Sequence, residues 1–358
     1  MSFGGPEKQD DVVPFLRNVT AGRDIPDERL EEVGEHYRGF GGRSPINDQN
    51  RALLDAIRAD LAAHDLDVPV YWGNRNWDPF LVDAVAEMQR DGIGRALCLV
   101  TSAYSSYSGC RQYREDLTAA RAAVIETYGA APELDRTRVY FNHPGFVEPV
   151  VDATLAALDA LPADVRDAAR LVFVTHSVPE SMNDASGPTG AAYVRQHESA
   201  AALVSDAVAD RTGRRHDHDL VYCSRSGPPR IPWLVPDVND HLTRLSADDV
   251  SAAVLVPIGF VSDHMEVIYD LDTEALATAA ELGLPCTRAA TAGVDPRFVA
   301  LARELLLERA AAERGESPER PALGELGPAW DRCRPGCCLN PRSDRPALVG
   351  SADHVALA

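Results

Sequence analysis

Two segments of this chain pass from a short apolar run directly into a polar loop that carries a candidate metal ligand. LVFVTHSVPE (Leu171–Glu180) does so at His176, and PIGFVSDHMEVIYD (Pro257–Asp270) does so at Glu266. Such apolar runs are typical of strands buried on both faces of a parallel sheet. Ligands of open α/β sheets bind in the crevice outside the carboxyl ends of these strands. An imidazole and a carboxylate in one crevice predict a site for a divalent metal in transit or for proton transfer.

Strand-like and helix-like segments alternate along most of the chain, which predicts an α/β fold with parallel strands and right-handed crossovers. The predicted strands are Val68–Trp72, Ala96–Thr101, Arg138–Phe141, Leu171–Thr175, Leu220–Ser224 and Ala253–Ile258. The predicted helices include Pro79–Asp91, Gln112–Tyr128, Val147–Leu161, Tyr193–Thr212 and Pro296–Arg314. The opening residues, MSFGGPE, are typical of a strand that ends in a glycine turn, so the first strand is expected to be short or to begin upstream.

A chain of 358 residues is too long for one ordinary core, and a stretch of prolines and acids at residues 160–169 is the predicted junction. We therefore expect domains at 1–165 and 166–315. A tail at 316–358, rich in Pro, Gly and Arg, has by composition no core of its own.

Composition excludes several classes of function. A net charge of −20 argues against a nucleic-acid surface, which needs a basic face. No apolar run approaches the roughly 18 residues of a membrane span, and no basic segment followed by an apolar one opens the chain. We expect a cytoplasmic protein with no nucleic-acid partner and no membrane span.

Three carboxylates follow the second loop at helical spacing. They are Glu266, Asp270 and Glu274, at i, i+4 and i+8, and Ser262 or Asp263 is expected to cap their helix. Like charges at this spacing repel, so helix stability alone does not recommend them. A solvated acidic face is the ordinary interpretation in so acidic a protein. The position of His176 favours a metal path instead, because carboxylate and imidazole ligands hold Fe²⁺ weakly enough to release it.

Two further loops combine aromatic and basic side chains at predicted strand ends. GNRNWDPF (residues 73–80) follows one strand, and TSAYSSYSGCRQY (residues 101–113) follows the next. Their aromatic residues are expected to form one wall of a flat apolar pocket, with arginines at its rim. The wall would comprise Tyr104, Tyr107, Tyr113 and Trp77, and the rim Arg75, Arg111 and Arg114. Taken singly, each aromatic residue is more typical of a core.

Seven segments, taken in order, resemble the ferrochelatases, the enzymes of haem synthesis that insert Fe²⁺ into a porphyrin. They are GGPE, FGGRSPIN, GNRNW, TSAYSSYSGCRQY, THSVP, SRSGPPRIPWL and PIGFVSDHMEVIYD, and the resemblance runs from about residue 3 to about residue 305. It implies two similar Rossmann-like (class II chelatase) domains with parallel sheets and a porphyrin cleft between them.

The resemblance also implies roles for individual residues. His176 matches the metal-site histidine and Glu266 the facing glutamate, while Asp270 and Glu274 match the acidic line that leads metal or protons to the site. Ser44 and Tyr113 match positions that contact the porphyrin. We also expect porphyrin contacts from Arg75, at the predicted rim, and from Phe3. Phe3 stands where some relatives have a tyrosine able to reach the metal, and a phenyl ring cannot coordinate.

Bacterial members of this kind resemble coproporphyrin III ferrochelatases. Four propionates on that porphyrin suit an arginine-lined cleft, although the two of protoporphyrin IX would suit it as well. A cobalt or nickel chelatase and a non-catalytic haem or iron carrier are the other interpretations, and the acidic line argues against the carrier. The expected partners are the porphyrin, Fe²⁺ as substrate, and the next haem-synthesis enzyme in transient contact.

Seven cysteines include a cluster, CRPGCC, near the carboxyl end. Cys333, Cys337 and Cys338 resemble the carboxyl-terminal trio that holds a [2Fe–2S] cluster in several ferrochelatases, and Cys110 resembles the internal fourth ligand. Four thiolates are what such a cluster needs. A redox-active tail, an adventitious zinc site and no function are the alternatives.

Overall fold

The computed structural model of the chain describes residues 1–22, 25–227, 230–334, 336–340 and 345–348. Within these ranges the fold is α/β, with one two-stranded and one four-stranded sheet whose strand pairs are all parallel. The predicted fold class is therefore confirmed. None of the helices in these ranges has both the length and the apolar content needed to cross a membrane.

The amino-terminal part surrounds the two-stranded sheet. Its helices are a 3₁₀ turn (Gln9–Asp11), α1 (Val12–Val19), α2 (Asp27–Arg38), α3 (Ile46–Ala63), α4 (Leu81–Arg90), a π-helical turn (Tyr107–Arg111), α5 (Gln112–Tyr128), α6 (Pro144–Ala160) and α7 (Ala163–Arg166). Its strands are β1 (Arg95–Cys98) and β2 (Glu133–Arg136). The first residues lie beside this sheet, because Ser2 bridges Asn74 and the Thr101 amide donates to the Met1 carbonyl at 3.0 Å. Phe3 is thereby placed next to the loop that follows residue 73.

The carboxyl-terminal part contains the four-stranded sheet. Its strands are β3 (Arg170–His176), β4 (His218–Cys223), β5 (Ala253–Val256) and β6 (Cys286–Arg288). Its helices are α8 (Glu180–Asp184), α9 (Ala192–Thr212), α10 (Val238–Ala247), α11 (Met265–Val267), a π-helix (Ile268–Ala275), α12 (Leu276–Glu281) and α13 (Pro296–Glu313).

The strand order of this sheet is β4-β3-β5-β6, so the chain steps from β3 to one side and then returns to the other. The strand order therefore reverses between β3 and β5. In open parallel sheets this reversal opens a crevice at the carboxyl ends of the two strands, and ligands bind there. His176 ends β3, and the loop after β5 leads to Glu266. The topology thus brings the two predicted ligands to one crevice.

Both faces of the sheet are covered, as its near-continuous apolar strands predict. Phe173 and Val256 face the larger core, and Val172 and Leu255 face the smaller one on the opposite side. All four side chains are fully buried.

Two predicted strands are wrong. Residues 68–72 form no ladder, and in place of Arg138–Phe141 the strand is β2, whose sequence ELDR is charged. Ion pairs explain β2, since Asp135 meets Arg95 on the neighbouring strand and Arg309 of α13. An apolar pattern cannot reveal a strand whose side chains are neutralised in this way.

Candidate functional site

His176 and Glu266 face each other across the crevice. Nε2 of His176 lies 3.6 Å from Oε1 of Glu266, and the side chains are 33% and 42% exposed, so ligands from solvent can reach both. Nδ1 of His176 is hydrogen-bonded to the carbonyl oxygen of Ser177. This bond makes Nδ1 the donor, so in the neutral ring the lone pair of Nε2 points to the carboxylate and is available to a proton or a metal ion.

The backbone of His176 is held from behind by a buried polar cluster. The Tyr193 hydroxyl donates to the His176 carbonyl at 2.8 Å, and the Thr175 hydroxyl lies 2.9 Å from both the Tyr193 hydroxyl and Nε2 of His197. Tyr104 stacks on the His197 ring at 3.5 Å between centroids. Such bonds restrict where the imidazole of His176 can sit.

The two facing groups form an ion pair. Burial alone would lower the pKa of His176, but the Glu266 carboxylate and the Ser177 carbonyl raise it to about 9. Burial alone would raise the pKa of Glu266, and the His176 imidazolium lowers it to about 2. The pair therefore holds a proton on His176 at neutral pH, and a cation that enters beside Glu266 competes with that proton.

Asp270 and Glu274 continue from this pair toward the surface. Burial raises the pKa of Asp270 to about 7, against the hydrogen bond that Ser224 donates to its carboxylate. Glu274 is exposed. The segment that carries both is a π-helix rather than the predicted α-helix. π-Helices are rare in proteins, and those that occur are often found at functional sites. The titratable groups run from the partly exposed His176–Glu266 pair, through the Asp270 carboxyl with its pKa of about 7, to exposed Glu274.

The predicted helix cap is wrong. The side chain that accepts the free amide of Glu266 is His264, through Nδ1 at 3.1 Å, and not Ser262 or Asp263. Asp263 instead accepts hydrogen bonds from Arg288 and Thr291. Arg288 removes Asp263 from competition for the cap, a contact that local sequence cannot show.

Two residues near the acidic line are absent from the sequence prediction. Ser224 follows β4, and the end of β4 lies beside the end of β3. The pairing of these two strands is the feature from which a position near His176 could be predicted for Ser224. Tyr37 of α2 is half-buried, and burial of its hydroxyl, with the charges of Glu266 and Asp270, raises its pKa. Nothing in the sequence around Tyr37 predicts that α2 covers this site.

Three of the predicted porphyrin contacts are brought together. The guanidinium carbon of Arg75 lies 4.7 Å from the ring centre of Tyr113 and 5.9 Å from that of Phe3, both within cation–π range. Ser44 is not part of this stack. It is buried beside Gly5, and its hydroxyl accepts the Ile46 amide at 3.5 Å.

The predicted arginine rim is wrong. Arg75 is only 8% exposed and pairs with Asp116, while Arg111 is buried and pairs with Glu115 at 3.0 Å. Arg114 is fully buried against the carboxyl-terminal tail. The sequence shows which loop and helix carry these arginines. It does not show the carboxylates, such as Asp116 and Glu115, with which they form ion pairs in the interior.

The other aromatic residues of the predicted wall lie apart from that stack. Tyr104 belongs to the core and donates to the Ile258 carbonyl at 2.9 Å. Tyr107 donates to Glu115, and Trp77 packs edge-on against Phe15. Of the four, Tyr113 alone contacts Phe3 or Arg75 in the described ring contacts.

The four predicted cysteines meet. Cys110 contacts Cys333 and Cys338, and Cys337 contacts the same two, so the thiols form a closed ring. Sγ of Cys337 and Sγ of Cys338 are 3.8 Å apart. Hydrogen bonds from Cys333 and Cys338, aided by Arg136 and Arg114, hold the pKa of Cys110 well below its usual range. All four cysteines are buried.

This arrangement fits the donor set of a binuclear cluster. Two thiolates on one tetrahedral centre, with metal–sulfur bonds of about 2.3 Å, are separated by about 3.8 Å. Among the described residues, no three or more His, Cys, Asp or Glu side chains form a site for a single metal ion. A [2Fe–2S] cluster does not require such a site, because each iron takes two of the four thiolates.

Comparison with known proteins identifies the family of the chain. Residues 1–310 match the sequence profile of the family Ferrochelatase. The chain is 60% identical to the coproporphyrin III ferrochelatase of Streptomyces coelicolor, over 99% of this chain and 96% of that protein. It is also 60% identical to the protein of the same name from Streptomyces griseus, over 98% and 95%. A solved structure, SirB from Bacillus subtilis with Fe³⁺, matches 75% of this chain and 91% of that one at 14% identity and a TM-score of 0.49. The profile match and the two Streptomyces relatives show that this chain belongs to the ferrochelatase family.

Proposed function

We propose that this chain inserts Fe²⁺ into coproporphyrin III to give Fe-coproporphyrin III in haem synthesis. The observation that carries the proposal is the His176–Glu266 pair at the reversal of strand order, in a ferrochelatase-family chain. Relatives from Frankia alni, Leifsonia xyli and Nocardia farcinica, 57%, 49% and 51% identical, also bear the name coproporphyrin III ferrochelatase.

Proton removal is the first chemical requirement, since two pyrrole N–H protons leave as the metal enters. His176 accepts a pyrrole proton at Nε2 once its own proton has passed to Glu266 or beyond. Asp270, whose pKa is raised to about 7, can both accept and release that proton near neutral pH. Exposed Glu274 would complete the route to solvent.

Metal delivery uses the same groups in the opposite direction. Fe²⁺ binds carboxylate oxygen and imidazole nitrogen, and a set of only two or three such ligands holds it weakly. Without metal, the protonated His176 balances the negative charge of Glu266. Fe²⁺ that enters beside Glu266 balances that charge instead, so His176 can lose its proton. Each metal that arrives therefore favours release of a proton.

We assign porphyrin contacts to Phe3, Tyr113 and Ser44, with Arg75 in contact with the rings of Phe3 and Tyr113. A cleft that binds a bent macrocycle better than a flat one lowers the barrier, because bending exposes the nitrogen lone pairs that receive the metal. Arg75 is neutralised by Asp116, so its role is to fix the ring planes rather than to bind a propionate.

The test is anaerobic insertion of Fe²⁺ with coproporphyrin III and protoporphyrin IX in parallel, followed by loss of the free-base spectrum. We expect multiple turnovers, faster with coproporphyrin. Faster turnover with protoporphyrin IX would show that protoporphyrin IX, and not coproporphyrin III, is the preferred substrate. Turnover with Co²⁺ or Ni²⁺ in preference to Fe²⁺ would favour another chelatase, and tight haem binding without turnover would favour a carrier.

His176→Ala should lower the insertion rate at least about 100-fold while porphyrin still binds, because a positioned base commonly contributes that much. His64→Ala is the matched control, since His64 directly follows α3 and its side chain is half-exposed. A near-normal rate in His176→Ala would refute the assignment.

We also propose that Cys110, Cys333, Cys337 and Cys338 hold a [2Fe–2S] cluster, which would supply one-electron chemistry and tie the tail to the core. The ring of buried thiols supports this proposal. Anaerobically purified protein should show the charge-transfer absorption and acid-labile sulfide of such a cluster, and Cys333→Ser should lose both. Cys286→Ser, in β6, should keep them.

The boundary at residue 165, the cytoplasmic location and the transient contact with the next enzyme stay predictions.

A further inference from the structure

Two buried arginines beside the cysteine ring have no carboxylate partner. Arg114 is 1% exposed and Arg136 is 4% exposed. Neither forms an ion pair with any Asp or Glu in the described ranges of the chain. Burying an unpaired guanidinium costs several kcal/mol, so an anion is expected near each one.

The other buried arginines of the described ranges all have such a partner. Arg111 meets Glu115 at 3.0 Å, Arg138 meets Glu308 at 2.7 Å, and Arg309 meets Asp135 at 2.9 Å. Within the described ranges, every buried guanidinium has a carboxylate partner except the two next to the cysteines. The lack of a carboxylate partner is therefore specific to the arginines beside the cysteine ring.

Arg136 is hydrogen-bonded to a thiol of the ring, and Arg114 to the backbone of Cys337 and of Leu348. Nη1 of Arg136 donates to Sγ of Cys110 at 2.6 Å, and Nη2 of Arg114 donates to the Cys337 carbonyl at 3.5 Å. The Nε atoms of both arginines are buried and have no hydrogen-bond partner. Arg114, Arg136, Cys110 and Cys333 line one small cavity. Donors without partners therefore stand around a space that two of the thiols also border.

We propose that Arg114 and Arg136 are the counter-charges of the cluster and set its reduction potential. The inference rests on the proposed [2Fe–2S] cluster. An oxidised cluster with four thiolates has two negative charges, because two ferric ions and two sulfides leave the thiolates half neutralised. Two guanidinium groups cancel this charge. Hydrogen bonds to sulfur and local charge are the means by which proteins shift the potentials of such clusters.

The direction of the effect follows from electrostatics. One-electron reduction adds a further negative charge to the cluster as one ferric ion becomes ferrous. A buried positive charge stabilises that product more than the oxidised form, and in a water-excluded site the interaction is weakly screened. Removing either guanidinium should therefore lower the potential.

The experiment is an anaerobic dithionite titration of the full-length protein with redox mediators, followed by the electron paramagnetic resonance of the reduced cluster. Arg136→Gln and Arg114→Gln should each shift the ratio of reduced to oxidised cluster at least tenfold toward oxidised at a fixed potential, or 59 mV. Arg136→Lys and Arg114→Lys keep the charge and should stay close to the wild type.

Arg309→Gln is the matched control. It removes a guanidinium of the same size whose carboxylates keep other partners, since Arg95 still meets Asp135 and Glu313. Its potential should equal that of the wild type.

Three outcomes separate the possibilities. If the glutamine variants lose the cluster while the lysine variants keep it, the requirement for charge is supported. Glutamine variants with the wild-type potential, or lysine variants that lose the cluster as well, would overturn the role of the arginines. A wild-type protein without acid-labile sulfide would instead refute the cluster itself and, with it, this inference.

Discussion

The pKa of His176 is set by burial and by neighbours that act against it. Burial lowers it, and Glu266 with the Ser177 carbonyl raises it to about 9 from an ordinary value of 6.5. Glu266→Gln removes the charge and keeps the shape, so the pKa of His176 should fall to 6.5 or below. Titration of the imidazole ¹⁵N resonances in the metal-free protein measures this value.

The control for this prediction is Glu274→Gln. Glu274 is exposed at the end of the acidic line, so its charge is screened by water and salt before it reaches His176. The pKa of His176 should then stay near that of the wild type. An unchanged value in Glu266→Gln would show that the ion pair does not form in solution.

At the residue scale, the sequence predicted that His176 and Glu266 share a crevice, but it placed the arginines at a rim that does not form. His176 and Glu266 follow apolar strands, and the period and end of a buried strand are visible in the sequence. Arg75 and Arg111 were expected to face a ligand, yet Asp116 and Glu115 neutralise them in the interior. Partner choice among charges depends on tertiary contacts that no local pattern contains.

At the scale of elements, the loop after β5 touches β3 through a glycine. A Cβ on Gly259 would lie 2.1 Å from Oγ1 and 2.8 Å from Cα of Thr175. Gly259→Ala must therefore separate β3 from the loop that leads to Glu266, and overpacking of this kind costs about 1–3 kcal/mol of unfolding free energy. Urea unfolding measures the loss.

Gly94→Ala is the matched control, because a Cβ on Gly94 meets no atom within 4 Å. Its unfolding free energy should equal that of the wild type or slightly exceed it. If Gly259→Ala were as stable as Gly94→Ala, the close approach of the loop to Thr175 would be refuted.

Elements were predictable where one physical signal dominated. The bounds of α5 agree with the prediction because its ends carry clear signals, including Gly129 in the left-handed conformation after the last turn. The π-helix at Ile268–Ala275 was not predictable, since α and π spacing differ by less than one residue per turn. Its sequence was correctly expected to be helical and acidic.

At the scale of the whole molecule, one core joins both predicted domains and the tail. Tyr104, Phe173, Phe298 and Cys337 all belong to it. The tail was expected to have no core of its own, and its cysteines are buried by packing on residues of the two main parts. The parts also meet near the site, where the Asp263 amide donates to the Gln49 side chain of α3 at 2.8 Å. Displacement of the tail therefore disturbs the core that also supports β3.

Two titratable groups, His197 in the interior and Asp270 at the site, should make stability respond to acid in opposite directions. Burial lowers the pKa of His197 to about 3, below its ordinary value of 6.5. The unfolded chain therefore takes up this proton as pH falls below 6.5, and stability is lost toward pH 3. Burial raises the pKa of Asp270 to about 7, above its ordinary value of 3.8. Here the folded chain takes up the proton first, so stability is gained as pH falls from 7 toward 3.8.

Variants isolate each contribution, because the remaining groups change little between them. Between about pH 6.5 and 4.5, each group changes the unfolding free energy by at most about 1.4 kcal/mol per pH unit. His197→Gln should flatten the loss of stability on acidification, and Asp270→Asn should steepen it. Urea unfolding of the wild type and both variants at three pH values in this window measures the slopes. Slopes that coincide in all three proteins would show that neither group has the shifted pKa that its burial implies.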